Sequence, residues 1–143
     1  MDQAEQLDAS ISALMRELTI DERRLSSDVG PAPFNALDLE TLSYVHRHPG
    51  SVAKDAAAFL GVRATTMQSV IDRLHKRGFL KRDMSALKGR AVALTLTEEG
   101  MAFRQRLHAQ NLKNCREMLK CIDETERDDF VRNMTRIAGT MSS

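Results

Sequence analysis

The chain has no tryptophan, one tyrosine and five phenylalanines among its 143 residues, and only two cysteines and three prolines. With aromatics so scarce, a core has to rest on Leu, Ile, Val, Met and Ala, most of them good helix formers. Cys115 and Cys121 alone cannot frame a disulfide scaffold. No apolar run approaches the roughly 18 residues that span a bilayer, which excludes an integral membrane protein and any membrane partner of that kind. The opening MDQAEQLDASISALMRELTIDERR is acidic and amphipathic, whereas a secretory leader needs a basic start and a continuous apolar stretch; the expectation is a cytoplasmic protein. What is present is ordinary for a globular protein, 42% hydrophobic and 29% charged residues, at a length of about one domain.

A net charge of +1 conceals an uneven distribution. Residues 1–40 carry −6, residues 41–62 carry +1, residues 63–90 carry +6, and residues 91–143 are neutral. The basic stretch holds Arg63, Arg73, Lys76, Arg77, Lys81, Arg82, Lys88 and Arg90 against two acids, Asp72 and Asp83. Local rather than total charge draws a polyanion to a surface, although a charge cluster alone also describes a merely solvated face.

Periodicity divides the chain into a mainly α fold with a small β-ribbon. Residues 3–26 read as a first helix with Leu7, Ile11, Leu14, Met15, Leu18 and Leu25 on one stripe. Gly30, Pro31 and Pro33 interrupt it. Asn35 is placed to cap a second helix, with Asp38 three residues on for the reciprocal bond, and Pro49-Gly50 ends that helix. Ser51 is expected to cap a third, short helix carrying Ala53, Ala56, Ala57, Phe59 and Leu60, closed by Gly61. A fourth helix, residues 64–76, points Met67, Val70, Ile71 and Leu74 to one side, and Gly78 stops it. The period then changes to two: residues 79–82 and 91–96 read as paired strands joined by a basic tip. Thr97 caps a long helix that runs to about Cys121, and Asp123 or Thr125 caps a last one with Phe130, Val131, Met134, Ile137 and Met141 on its apolar face.

A short helix, a tight turn at Gly61 and an amphipathic helix form the signature of a helix-turn-helix, and the ribbon that follows is a wing. In that order, with the charge maximum on them, the elements resemble the MarR-type winged-helix transcriptional regulators. Three stretches carry the resemblance: Leu60-Gly61-Val62-Arg63-Ala64-Thr65-Thr66-Met67-Gln68-Ser69-Val70-Ile71-Asp72-Arg73-Leu74, similar to the family's recognition helix; Arg77-Gly78-Phe79-Leu80-Lys81-Arg82, similar to its helix-to-wing step; and Arg90-Ala91-Val92-Ala93-Leu94-Thr95-Leu96-Thr97-Glu98-Glu99-Gly100, similar to the second wing strand and the start of the long helix. Two positions depart from the family. Lys88 stands where an Asp usually precedes the wing Arg, which makes the tip more basic, and Ser69 stands where a larger, frequently basic residue is common. The resemblance implies an N-terminal dimerisation helix over 1–34, a DNA-binding lobe over 35–97 and C-terminal dimerisation helices over 98–143, one domain overall.

A recognition helix enters the major groove and reads base edges with outward side chains near its N-terminus. With Met67, Val70, Ile71 and Leu74 turned inward, Thr65, Thr66, Gln68 and Ser69 include the outward positions. Gln68 suits a two-point contact to adenine, Thr65 or Thr66 a thymine methyl or a phosphate, and Arg63 a phosphate or guanine. Arg73 is assigned to phosphate, with a structural salt bridge near Asp72 or the wing as the alternative. Lys88 and Arg90 are the minor-groove and backbone probes, and Ser51 and Lys54 are candidate phosphate anchors. The terminal apolar stripes, too large for a helix-turn-helix core to cover, call for a homodimer that sets two recognition helices a DNA turn apart.

The resemblance also implies a pocket for a small, often aromatic or phenolic, acid effector. Met15, Tyr44, His46 and His48 are its candidate lining, against the plainer reading of surface or satisfied core groups. His46 and His48, two residues apart, point different ways and make a poor metal pair. Cys115 and Cys121, six apart on a helix, cannot bridge within one chain; they read as small core hydrophobes, with an intersubunit disulfide still open. No nucleophile–base pair, metal-ligand spacing or phosphate-cradling glycine loop is legible, so no enzyme, cofactor or metal is expected. The expected function is a sequence-specific dimeric regulator, a repressor released from a pseudo-palindromic operator in double-stranded DNA by the effector. The alternatives are a winged-helix module for protein–protein interaction and a thiol-based redox regulator.

Overall fold

The computed structural model describes residues 1–27, 34–83 and 92–142, with the backbone alone for 20–27. The elements are α1 (Gln3–Ser27), α2 (Ala36–Arg47), α3 (Ala53–Leu60), α4 (Ala64–Lys76), β1 (Leu80–Asp83), β2 (Ala93–Leu96), α5 (Glu98–Lys120), a 3₁₀ turn (Glu124–Glu126) and α6 (Arg127–Met141). The fold is mainly helical with a two-stranded antiparallel wing, as the periodicity predicts. The chain forms two compact units, Met1–His108 and Ala109–Ser143, and α5 runs from the first into the second.

In the first unit, local chemistry sets the helix ends. Asn35 accepts from the Asp38 N–H at 2.9 Å, and the Asp38 carboxylate accepts from the Asn35 N–H at 3.2 Å, which completes the capping box at α2. Gly61 ends α3 in the left-handed region at φ 68°, where a Cβ would be strained, and the turn passes directly into α4. Thr97 caps α5: its Oγ1 accepts from the Gly100 N–H at 3.0 Å and donates to the Gly78 carbonyl. Strand β1 pairs with β2 in the register Leu80↔Leu96 to Asp83↔Ala93.

The core of this unit joins Leu42 and Val45 of α2, Ala56 of α3, Met67, Val70, Ile71 and Leu74 of α4, and Leu80 and Leu94 of the wing, all essentially inaccessible. Each large aliphatic side chain so buried contributes about 1.5–3 kcal/mol from transfer alone. Aromatics matter more than their number suggests. Phe34, Phe79 and Phe103 meet pairwise with centroids 5.0–5.4 Å apart and anchor the first turns of α5 to the start of the wing. Gly100 makes that approach possible, since a Cβ there would lie 2.2 Å from the Phe79 carbonyl oxygen.

Four expectations change. Ser51 is not a helix cap: Val52 occupies that position, and Ser51 instead adds a one-residue antiparallel bridge to the wing, its carbonyl accepting from the Leu94 N–H at 2.8 Å. Neither Asp123 nor Thr125 caps α6 with its side chain; a 3₁₀ turn leads into the helix, and Arg127 Nε donates to the carbonyls of Leu119 and Ile122. Phe59, expected among the apolar set of α3, is 60% exposed. Cys115 and Cys121 are both exposed and free, not core hydrophobes, because Cys115 sits on a stretch of α5 beyond the core and Cys121 in the turn just past the helix end.

Candidate nucleic-acid interface

Helix α4 has two faces of opposite character. Met67, Val70, Ile71 and Leu74 are buried, and Arg63, Thr65, Thr66, Gln68 and Ser69 are all exposed. The buried set is fixed by a 3.6-residue period, so the complementary set must face outward. Arg63 stands at the N-cap of α4 with no side-chain capping bond, which leaves its guanidinium free of that duty. Ser69 Oγ donates back to the Thr65 carbonyl at 3.1 Å. Helix α4 itself carries no Phe, Tyr or Trp.

A cavity of about 310 Å³ opens between the start of α3, α4 and the wing, lined by Val52, Ala53, Lys54, Gln68, Ile71, Arg82, Val92 and Leu94. It brings the exposed Lys54 into one place with Gln68 and Arg82, two of which were read from the sequence as candidate contacts. Ser51, the other expected anchor at this end of α3, has its hydroxyl oxygen buried without a partner among the described residues. Lys88 and Arg90, the expected probes at the wing tip, lie outside the described residues.

Two ion pairs hold the face. Arg73 donates to Asp38 at 2.6 Å, joining α4 to α2, with the carboxylate buried and the guanidinium half exposed. In the free chain Arg73 is therefore engaged in the salt bridge that was its alternative reading, but with Asp38 and not near Asp72. Asp72 accepts from Arg82 of β1 and from Gln68 Nε2 of its own helix at 3.2 Å. The Arg82 hydrogen bond, helped by Gln68, holds the Asp72 carboxyl below its usual range. Both partnerships escaped the sequence reading. Asp72 stands four residues after Gln68, a spacing that does signal contact on a helix, whereas nothing local links Asp38 to Arg73 or Asp72 to Arg82.

The residues expected around an effector are divided. Tyr44 stacks on His48 at 4.5 Å and lies 5.0 Å from Phe59, with His48 Nδ1 3.1 Å from the Tyr44 carbonyl. His46 turns elsewhere, within electrostatic range of Arg104 and His108 of α5. Burial first, then the charges of Arg104, Arg47 and His108, lowers its pKa from 6.5. Arg104 Nε is buried with no partner among the described residues, so this is a cationic corner that sequence reasoning missed. Met15 is exposed on α1. None of the four lines the cavity beside α4 or a second one, of about 370 Å³, bounded by Arg77, Phe79, Glu99, Ala102, Phe103 and Arg106. Among the described residues no His, Cys, Asp and Glu cluster could hold a metal, and no helix is long and apolar enough to cross a membrane.

A short helix, a glycine turn, a helix with a polar outer face and an antiparallel ribbon define a winged helix-turn-helix. Residues 33–91 match the family model described as MarR family. The solved structures extend the likeness of fold over the whole chain. Streptococcus pneumoniae FabT in complex with DNA is 20% identical, with 98% of this chain and 97% of that one covered and a TM-score of 0.78. A mutant of S. aureus MepR is 15% identical, with 99% of each chain covered and a TM-score of 0.81. MarR itself is 21% identical, with 94% and 96% covered and a TM-score of 0.75. No curated protein matches the chain by sequence.

Proposed function

We propose that this chain is a homodimeric transcriptional regulator that binds double-stranded DNA sequence-specifically in the cytoplasm. Helix α4 lies in the major groove, Gln68, Thr65, Thr66 and Ser69 meet base edges, Arg63 and Lys54 meet the backbone, and the wing with Lys88 and Arg90 follows the adjacent groove. The observation that carries this reading is the polar, exposed face of α4, a helix without Phe, Tyr or Trp, within the most basic stretch of the chain. A surface for a protein partner would be expected to offer aromatic anchors there. The family match over residues 33–91 and the DNA complex of FabT support the same reading.

The exposed stripes support the dimer. Leu7, Ile11, Leu14 and Met15 on α1, and Val131, Met134, Ile137 and Met141 on α6, are each between 41% and 82% exposed. A second copy covers such faces, and two-fold pairing sets two recognition helices on two half-sites of a pseudo-palindromic operator. The chain acts as a repressor, and a small aromatic or phenolic acid releases it, its carboxylate drawn to the corner of His46, Arg104 and His108.

The test is fluorescence anisotropy on a random duplex of about three helical turns, titrated over salt. Affinity should fall steeply and log-linearly with salt, and Arg90→Ala should flatten the slope by about one. Binding that is absent, or indifferent to salt, defeats the reading. A thermal-shift series with aromatic acids tests the effector, since a ligand of the folded state must raise the melting temperature by mass action.

A further inference from the structure

Asp72 is the one acid on the outward side of α4, 58% exposed in a region that should repel acids if it meets phosphates. Its oxygen is shared by two partners on different elements: Gln68 Nε2, one turn earlier on α4, and Arg82, on the first wing strand. An ionised carboxylate only accepts hydrogen bonds, so it fixes which end of the Gln68 amide faces it. The nitrogen must turn toward Asp72, and Oε1 is left on the far side of the amide, clear of the carboxylate. Because Nε2 carries two hydrogens, one can stay on Asp72 while the other, with Oε1, is presented to a base edge. That is the donor–acceptor pair that adenine N7 and N6 require. Arg82 neutralises the same carboxylate and ties it to β1.

We propose that Asp72 is a positioning residue whose carboxylate orients the Gln68 amide for base reading and fixes the wing to the recognition helix through Arg82. The proposal rests on the reading that α4 meets DNA bases. It goes further by placing the control of that reading on an acid that touches no DNA.

The experiment is selection from a duplex pool randomised over about two helical turns. Affinities are then measured for the enriched duplex, its single-base variants and the unselected pool. If the wild type enriches nothing, the DNA reading itself fails and the proposal with it. If it enriches a motif, Gln68→Ala identifies the base pair that Gln68 governs. At that pair Asp72→Ala should lower discrimination by about 5–10-fold, within the range one good bidentate contact supplies. Its affinity for the unselected pool should be equal or tighter, because a negative charge has gone. The double variant should be no less discriminating there than Gln68→Ala alone, and Asp72→Glu should restore most of the preference. Amide exchange over Leu80–Asp83 should quicken in Asp72→Ala and recover in Asp72→Glu. Full discrimination in Asp72→Ala, or an equal loss on the motif and the pool, overturns the orienting role. Unchanged exchange in β1 overturns the anchoring role.

Discussion

Replacing Arg73 by alanine separates two roles that a basic residue on a recognition helix can play. In the free chain its guanidinium donates to Asp38 at 2.6 Å, with the carboxylate only 5% exposed and the arginine side chain 48% exposed. A hydrogen bond to a charged group contributes about 1.5–3 kcal/mol net. Half-exposure of the arginine lets solvent screen the pair, which puts the value at the lower end, about 1.5 kcal/mol. The loss stays below that of a fully orphaned buried charge, because Asp38 keeps the Asn35 N–H at 3.2 Å in the capping box. For a chain of this size the melting temperature should fall by about 5 °C, read at fixed protomer concentration because association shifts apparent stability.

Asp38→Asn with Arg73→Ala completes a double-mutant cycle, and the coupling should recover about 1–1.5 kcal/mol, since the two side chains touch. On DNA, the slope of log affinity against log salt should change little in Arg73→Ala, because an arginine held by a carboxylate releases few counterions from phosphate. The opposite pattern refutes the argument. An unmoved melting temperature with a slope shallower by about one would mean that Arg73 leaves Asp38 for a phosphate.

Further outcomes follow from single features. Gly100→Ala puts a methyl group 2.2 Å from a backbone oxygen that no rotamer can move, so it should cost about 3 kcal/mol, measured by urea titration; a loss near zero would mean that α5 can lift from Phe79 freely. His46 is shifted below 6.5, so between its folded pKa and 6.5 the unfolded chain binds more protons, and stability must fall as pH drops through that window. His46→Gln should flatten that fall when unfolding is compared above and below pH 6.5, and an unaltered profile would reject the assignment. Ile11→Asp and Ile137→Asp, at positions 46% and 49% exposed, should each yield monomers by light scattering with helicity retained; a wild type that is itself monomeric removes the dimer.

The legible parts of the fold are those that repeat within a turn or two. The bounds of α4, the reciprocal cap of Asn35 and Asp38, the left-handed Gly61 and the Thr97 cap all depend on residues at most four apart, and the sequence displays them directly. The outward residues of α4 were legible for the same reason, as the complement of a buried period. Ser51 misled because a one-residue bridge to Leu94 has no period of its own and a serine before a short helix looks like a cap. The cysteines misled because residue type indicates burial only on average, whereas the reach of the core along α5 is a tertiary property.

Which polar side chains pair across different elements was not legible. Asp38 and Arg73 are 35 residues apart, and Asp72 and Arg82 sit on a helix and a strand whose pairing depends on the whole lobe. The basic stretch reads as one uniform surface in sequence, yet the fold divides it. Arg73 and Arg82 are held by carboxylates, while Arg63 has no capping role and Gln68 is tethered through one of its two amide hydrogens. Charge counting therefore sets only the upper limit on phosphate contacts, and a salt slope shallower than the eight bases of residues 63–90 would allow is the physical consequence.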